Sequence, residues 1–437
     1  MALICGGTAL VILLLGAGGA AAMMIGPAHA SVAPTSQGLQ MASSSLKIQA
    51  TIHLGKTPSS GAYDTSNGEV YISNQGSNNV TVINSKSFKT SSIPVGKNPA
   101  DIVFDPSNGH LYVTNLNSSN VSIISGSTNK VTATIGLGTG SHPDFAYVFP
   151  SNGNVLVLSN LSLTKTTTAW IIANSTNKVT TLTLGLGLYA LATYSPTTDD
   201  FYIPNYYSDT ISVIAANGAL SNLTLPAPPV SLAYDPGSGW VILTLVPFGK
   251  TPSSVLGITS SNTLTAPVGI PTSAGVFLGT NGLYDSYNNH LYFVSYNFTT
   301  NTSYEVPVTP SATLGGALIS LGKGLFFASY LDPANKDVYV GGLNADRIAV
   351  MDNASKVVKN LTTKQPVPFL VYDPNLKDMF GAGFVNKATP SILYAITSKN
   401  VVSTITVGDY AVAYFYDPTD KDVWVVCIGS NTIDVVS

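Results

Sequence analysis

The chain has 437 residues, 45% of them apolar and only 9% charged, a balance that supplies a large core and excludes a disordered chain. Basic and acidic residues number 19 and 22 for a net charge of −3. No Lys/Arg cluster or basic helix is present to follow a phosphate backbone, so nucleic acid is excluded as the expected partner.

The first element is an apolar run over residues 2–25, followed by Gly26-Pro27 and the small-residue sequence Ala28-His29-Ala30-Ser31. This pattern is expected of a secretion signal cut after Ala30. The run is also long enough to cross a bilayer as an uncleaved anchor, and no Lys or Arg precedes it. Residues 1–30 are therefore expected to be a signal peptide or N-terminal anchor, and 31–45 a linker. Membrane contact is expected only through that segment, if it is kept. A secreted or cell-surface location follows. It is supported by Asn-x-Ser/Thr sequons at Asn79, Asn117, Asn120, Asn160, Asn174, Asn222, Asn297, Asn301, Asn353 and Asn360. Beyond Cys5 the one cysteine is Cys427, so a chain cut after Ala30 would hold no internal disulfide and would depend on packing.

From residue 46 onward the pattern repeats. The clearest unit runs from Ala100-Asp101-Ile102-Val103-Phe104 through the turn Asp105-Pro106-Ser107-Asn108-Gly109 to His110-Leu111-Tyr112-Val113-Thr114-Asn115. It continues with Asn120-Val121-Ser122-Ile123-Ile124-Ser125 and Lys130-Val131-Thr132-Ala133-Thr134-Ile135-Gly136. These are four short strands rich in β-branched residues. Asp-Pro presets a type I turn, and Gly109 supplies the positive φ that precedes the second strand. The first turn recurs at Tyr63-Asp64, Phe104-Asp105, Phe149-Pro150, Tyr194-Ser195, Tyr234-Asp235, Tyr284-Asp285, Leu331-Asp332, Tyr372-Asp373 and Tyr416-Asp417, at steps of 40 to 50 residues. Four strands in that length make one propeller blade. The fold class is therefore all-β, a single β-propeller over 46–437. Nine repeats are counted, and the degenerate units at Phe149, Tyr234 and Tyr284 leave seven or eight open. Residues 46–54 read as a lone fourth strand and 432–436 as a last third strand, so the ring is expected to close by pairing an N-terminal outer strand with C-terminal inner ones.

The segment Tyr112-Val113-Thr114-Asn115 resembles the signature of the YVTN β-propeller repeat family, with relatives at Tyr71-Ile72-Ser73-Asn74 and Tyr202-Ile203-Pro204-Asn205. Val121-Ser122-Ile123-Ile124, Asn129-Lys130-Val131 and Val95-Gly96-Lys97-Asn98-Pro99 are similar to its flanks. The resemblance implies a secreted or surface-layer protein and implies no reaction. The family is best known as a seven-bladed ring, from which a count of nine departs.

Groups for chemistry are few. No catalytic set is assigned and no cofactor is expected. Glutamates number two, Glu69 and Glu305, and past residue 30 the one arginine is Arg347. Most aspartates occupy hairpin turns, where the carboxylate accepts from the turn backbone. Asp101, His142 and Asp144 form an alternative metal or acid–base group at the channel mouth, which would make the protein a hydrolase or lyase. The leading expectation is a non-catalytic binding or cell-surface module. Its glycan or protein ligand is expected on the loops after second strands, at Tyr206, Tyr207, Tyr296, Phe298 and Phe384, with Phe248 beside them. Aromatic faces next to amides suit sugar rings or apolar protein patches. A structural coat protein of the cell envelope is the third reading.

Overall fold

A computed structural model describes residues 46–159, 166–187, 192–246, 252–271, 273, 275–277, 282–385, 388–416 and 422–437. Residues 1–45, including the expected signal or anchor and the linker, lie outside the described residues. Among those described, the strands form nine antiparallel sheets, eight of them joined in sequence order from an innermost first strand to an outermost last one. Blades 1 to 8 open in turn with strands beginning at Pro58, Pro99, Pro143, Thr193, Pro229, Val276, Phe326 and Val371. In blade 6 the innermost strand is split into Val276–Phe277 and Leu283–Asp285.

Blade 9 takes three strands from the C-terminus, Ala411–Tyr416, Val423–Cys427 and Thr432–Val436, and its outermost strand from the N-terminal Ile48–His53. Ile48 pairs with Val436 and His53 with Thr432. Beyond the paired strands, Lys47 N donates to Ser437 O at 3.0 Å and Ser437 N donates to Lys47 O at 3.1 Å. The nine-blade ring with this closure is the arrangement that the repeat pattern led us to expect.

Antiparallel order sorts the connections between two faces. Hairpin turns between first and second and between third and fourth strands share one, the turn face. Connections from second to third strands and from one blade to the next share the other, the loop face. On the turn face, Oδ1 of Asp64, Asp105, Asp235, Asp285, Asp332 and Asp373 accepts from the N–H two residues on, at 2.7–2.9 Å. Gly109 closes its turn at φ 71°, as the Asn-Gly pattern requires. In blade 3 the closing bond runs from Gly153 N to Phe149 O, as Gly109 N does to Asp105 O. Phe149 and not Pro150 therefore holds the aspartate position, a one-residue correction to the sequence register.

In four blades the tyrosine at the first position of the Tyr-Val-Thr-Asn motif links neighbouring blades, while Tyr112 accepts from Asn108 of its own blade at 3.1 Å. Tyr71 donates to Asn129 Oδ1 of the next blade at 2.6 Å, Tyr202 to Asn262 Oδ1 at 2.7 Å and Tyr339 to Asn400 Oδ1 at 2.8 Å. Tyr292 meets Ser355 at 2.5 Å. Each ring is buried while its hydroxyl reaches the neighbouring turn, which satisfies a phenol that burial would otherwise leave unpaired.

The strand register also exposes one break in the repeat. Two residues before the third-strand partner of that tyrosine, each blade turns a fully buried side chain toward the next blade's innermost strand. The positions are Val80, Val121, Ala169, Ile211, Val255, Glu305, Ile348, Leu393 and Ile433. Glu305 is the one polar residue of the nine. It accepts a hydrogen bond from Ser329 of blade 7, its Oε2 has no partner, and burial pushes its carboxyl up to about 8.

Two expected outcomes follow. Replacing Tyr339 by Phe removes the inter-blade bond to Asn400 Oδ1, and should cost about 1 kcal/mol in a denaturant titration. Glu305 keeps its proton in the fold above the pH at which the unfolded chain releases it, so stability should fall as pH rises from about 4.5 to about 8. That loss approaches about 1.4 kcal/mol per pH unit for one proton. Glu305→Val restores the side chain the other blades use and should stabilise by about 1–4 kcal/mol at pH 8. It should also make the profile between pH 6 and 8 shallower, as measured by unfolding at a series of pH values.

Candidate functional site

The loop face carries two groups of interest, one in the channel wall and one on the outer loops. In the wall, the innermost strands of blades 1, 2, 3, 5, 7 and 9 bulge near their start, as at Pro58/Ser60 and Pro143/Phe145. The bulge turns the next side chains toward neighbouring strands. Ser59 Oγ donates to Pro99 O of blade 2 at 2.8 Å. Thr114 Oγ1 accepts from Asp101 N at 2.9 Å and donates to Asp144 O of blade 3 at 2.8 Å.

Asp101 sits at the centre of this arrangement. Its Oδ1 accepts from Ser60 Oγ of blade 1 at 2.6 Å and from Ile102 N at 2.8 Å, and its Oδ2 accepts from Ala146 N of blade 3 at 3.0 Å. One carboxylate thus ties together the innermost strands of three blades. Burial raises its pKa, opposed by those three donors. Asp144 is 6% exposed, and among the described residues no donor reaches its carboxylate. Burial, and then the nearby Asp101 charge, push it up to about 7. Tyr147 stands close enough to both carboxylates for their charges to raise its pKa, behind the larger effect of burial.

His142 occupies a different environment. It is exposed at φ 46°, and Thr57 and Asn98 take φ 53° and 56° in the matching place before the proline that opens a first strand. No hydrogen bond joins it to either aspartate among the described residues. The structure therefore brings Asp101 and Asp144 together through Thr114 and Ala146, with His142 on the rim. Ser60, Thr114 and Tyr147 were missed by sequence reasoning. Ser60 and Asp101 share one repeat register, four residues before the turn aspartate, which is the signal that could have linked them. Among the described residues no three His, Cys, Asp or Glu side chains converge as a ligand set.

The aromatic residues divide into braces and displayed rings. Tyr206, 3% exposed, packs into the core between blades, and its N–H donates to Gly187 O at 2.8 Å. Tyr207 beside it is 44% exposed and meets Tyr206 edge-on, at 5.0 Å and 89°. The same device recurs two blades on. Tyr296, 9% exposed, donates to Asn301 Oδ1 at 2.6 Å, while Phe298 is 44% exposed and stands edge-on to it at 4.6 Å and 88°. Phe384 is half-buried, 5.5 Å from the Tyr410 ring and packed against the blade 6–7 core, so it is not displayed in the same way. Phe248 lies outside the described residues.

No family model matches the chain, and no curated protein matches it. Solved structures do. The dihydro-heme d1 dehydrogenase NirN is 12% identical, with 78% of this chain and 73% of that chain covered at a TM-score of 0.56. The Dos1 propeller is 12% identical, with 83% and 95% covered at 0.54. A streptogramin B lyase is 12% identical, with 90% and 97% covered at 0.44. At these identities the likeness is one of fold alone.

The division into braces and displayed rings has a measurable consequence. Truncating a brace, Tyr206→Ala or Tyr296→Ala, should cost about 3 kcal/mol of stability, because a buried aromatic leaves a cavity. Tyr207→Ala and Phe298→Ala should each stay within about 1 kcal/mol of the parent in the same denaturant titrations.

Proposed function

We propose that the protein is an extracytoplasmic binding module of the YVTN type, secreted or held at the cell surface, which takes a glycan or protein ligand on its loop face without turnover. The observation that carries this reading is the repeated pair of a buried tyrosine and an exposed ring set edge-on against it. An exposed aromatic normally loses rotamer freedom when a ligand covers it. Here Tyr206 and Tyr296 already hold Tyr207 and Phe298 in place, so the rings are ordered before contact. A rigid ring offers a flat apolar face to the C–H side of a pyranose or to an apolar patch on a protein. The Asn-, Ser- and Thr-rich loops alongside supply polar partners that fix orientation.

The export pattern of residues 1–30 and the density of sequons support a location outside the cytoplasm in this reading. The test is an oligosaccharide array probed with the purified chain, followed by titration of whatever it captures. Tyr207→Ala and Phe298→Ala should each weaken capture by about tenfold, a loss of about 1.4 kcal/mol. Retention of full affinity by both variants, with their unfolding midpoints unchanged, would remove the loop-face reading.

A further inference from the structure

Arg347, the one arginine of the chain, stands where the third strand of blade 7 begins, at the loop face. Its side chain reaches back to Ile319–Lys323, the outermost strand of blade 6. Nη2 donates to Leu321 O at 3.2 Å and to Lys323 O, and the guanidinium carbon lies 5.1 Å from the centre of the Phe326 ring. Gly322, between the two accepting carbonyls, takes φ 86°, and a Cβ there would stand 2.9 Å from Nη2, so this seat needs glycine. The turn that follows is tied down on both sides. Ser303 Oγ donates to Gly324 O at 2.9 Å, and Leu325 N donates to Asn344 Oδ1 at 2.6 Å.

These partners fix the guanidinium without neutralising it. Carbonyls and a phenyl ring carry no net charge, and among the described residues no ion pair joins Arg347 to a carboxylate, its exposed sequence neighbour Asp346 included. Nη2 has two acceptors, whereas Nη1 and Nε have none among those residues. Lys323 is exposed, its side chain makes no hydrogen bond there either, and it brings a second positive charge to the same turn. A guanidinium already held in place binds an anion with little further loss of rotamer freedom.

Phe298 belongs to the same unit. Gly324 N donates to Asn301 O at 2.9 Å, and Asn301 Oδ1 accepts from Tyr296, the residue that braces Phe298. The displayed ring and the seat of Arg347 are thus joined through one asparagine at the border of blades 6 and 7. We propose that this part of the loop face binds an acidic glycan, with Phe298 against the apolar side of a sugar ring and Arg347 and Lys323 on its carboxylate or sulfate. The inference rests on the loop-face reading above and names the class of ligand for the blade 6 site.

The test is an oligosaccharide array that sets uronate oligomers beside their methyl esters, sulfated oligomers beside their desulfated forms, and neutral oligomers beside both. The parent should capture acidic members and lose them when the charge is removed, and about 1 M salt should weaken capture because exposed charges are screened. Lys323→Gln should weaken capture of the acidic members about fivefold, the upper range for an exposed ion pair. Arg347→Gln should weaken it about tenfold, as for a hydrogen bond to a charged group. Lys323→Gln breaks no side-chain hydrogen bond and should keep the parent unfolding midpoint, so it decides the matter even where Arg347→Gln is destabilised. Capture of uronates assigns a carboxylate, and capture of sulfated members alone assigns a sulfate. Equal capture of acidic members and their uncharged forms overturns the proposal, and so does acidic capture that both variants leave unchanged. If neutral members alone are captured and Phe298→Ala weakens that capture, the loop-face reading stands and the acidic ligand falls. Capture of no member overturns the proposal as well.

Discussion

A four-stranded blade has two apolar faces and two open edges, and it can bury neither face alone. Everything else in this protein depends on a neighbour being present on both sides of every blade. Eight of the nine contacts between consecutive blades join units that follow one another in sequence, but the ninth cannot arise that way. It exists because Ile48–His53 pairs with Thr432–Val436, so that blade 9 is completed by a strand from the other end of the chain. The free ends that an open arc of blades would expose are thereby covered, and among the described residues the strands are held without a disulfide.

Within that ring, polar side chains do two separate jobs. On the turn face they are local and repetitive, with the turn aspartates serving their own turns and Tyr71, Tyr202, Tyr292 and Tyr339 serving the next blade. In the channel wall of blades 1 to 3 they are long-range. Asp101 and Thr114 join first strands of different blades, and their bonds leave Asp144 without a donor. The first set explains why so many aspartates in this chain have structural roles. The second explains why a few do not share them.

The turn aspartates, the motif tyrosine and the closing strand were legible in the sequence because each is a local pattern repeated many times. A single misreading there, at Phe149-Pro150, arose where the repeat has lost its aspartate and only the backbone bond from Gly153 marks the turn. The candidate site was less legible. That Asp101 and Asp144 lie together depends on strands in adjacent blades, while the rim position of His142 depends on its left-handed backbone. Neither fact has a local signature. The aromatic loops were recognised as a group, but the distinction between Tyr206 and Tyr207, or Tyr296 and Phe298, is set by which ring enters the space between blades. Glu305 stood out in the composition as one of two glutamates. Its strangeness appears only when strand register aligns it with eight apolar residues.

The closing strand also fixes how the molecule can be held. Third strands run from the loop face to the turn face and fourth strands return, so Val436 and Ile48 meet at the turn-face end of blade 9, where Lys47 and Ser437 exchange hydrogen bonds. A polypeptide leaving residue 46 therefore departs beside the last residue of the ring and on the side away from Tyr207, Phe298 and the channel mouth. Any attachment through that end would act as a stem, with the aromatic loops facing outward. Because the two ends already touch, a short linker could also join them and new termini could be opened in another turn without losing a single blade.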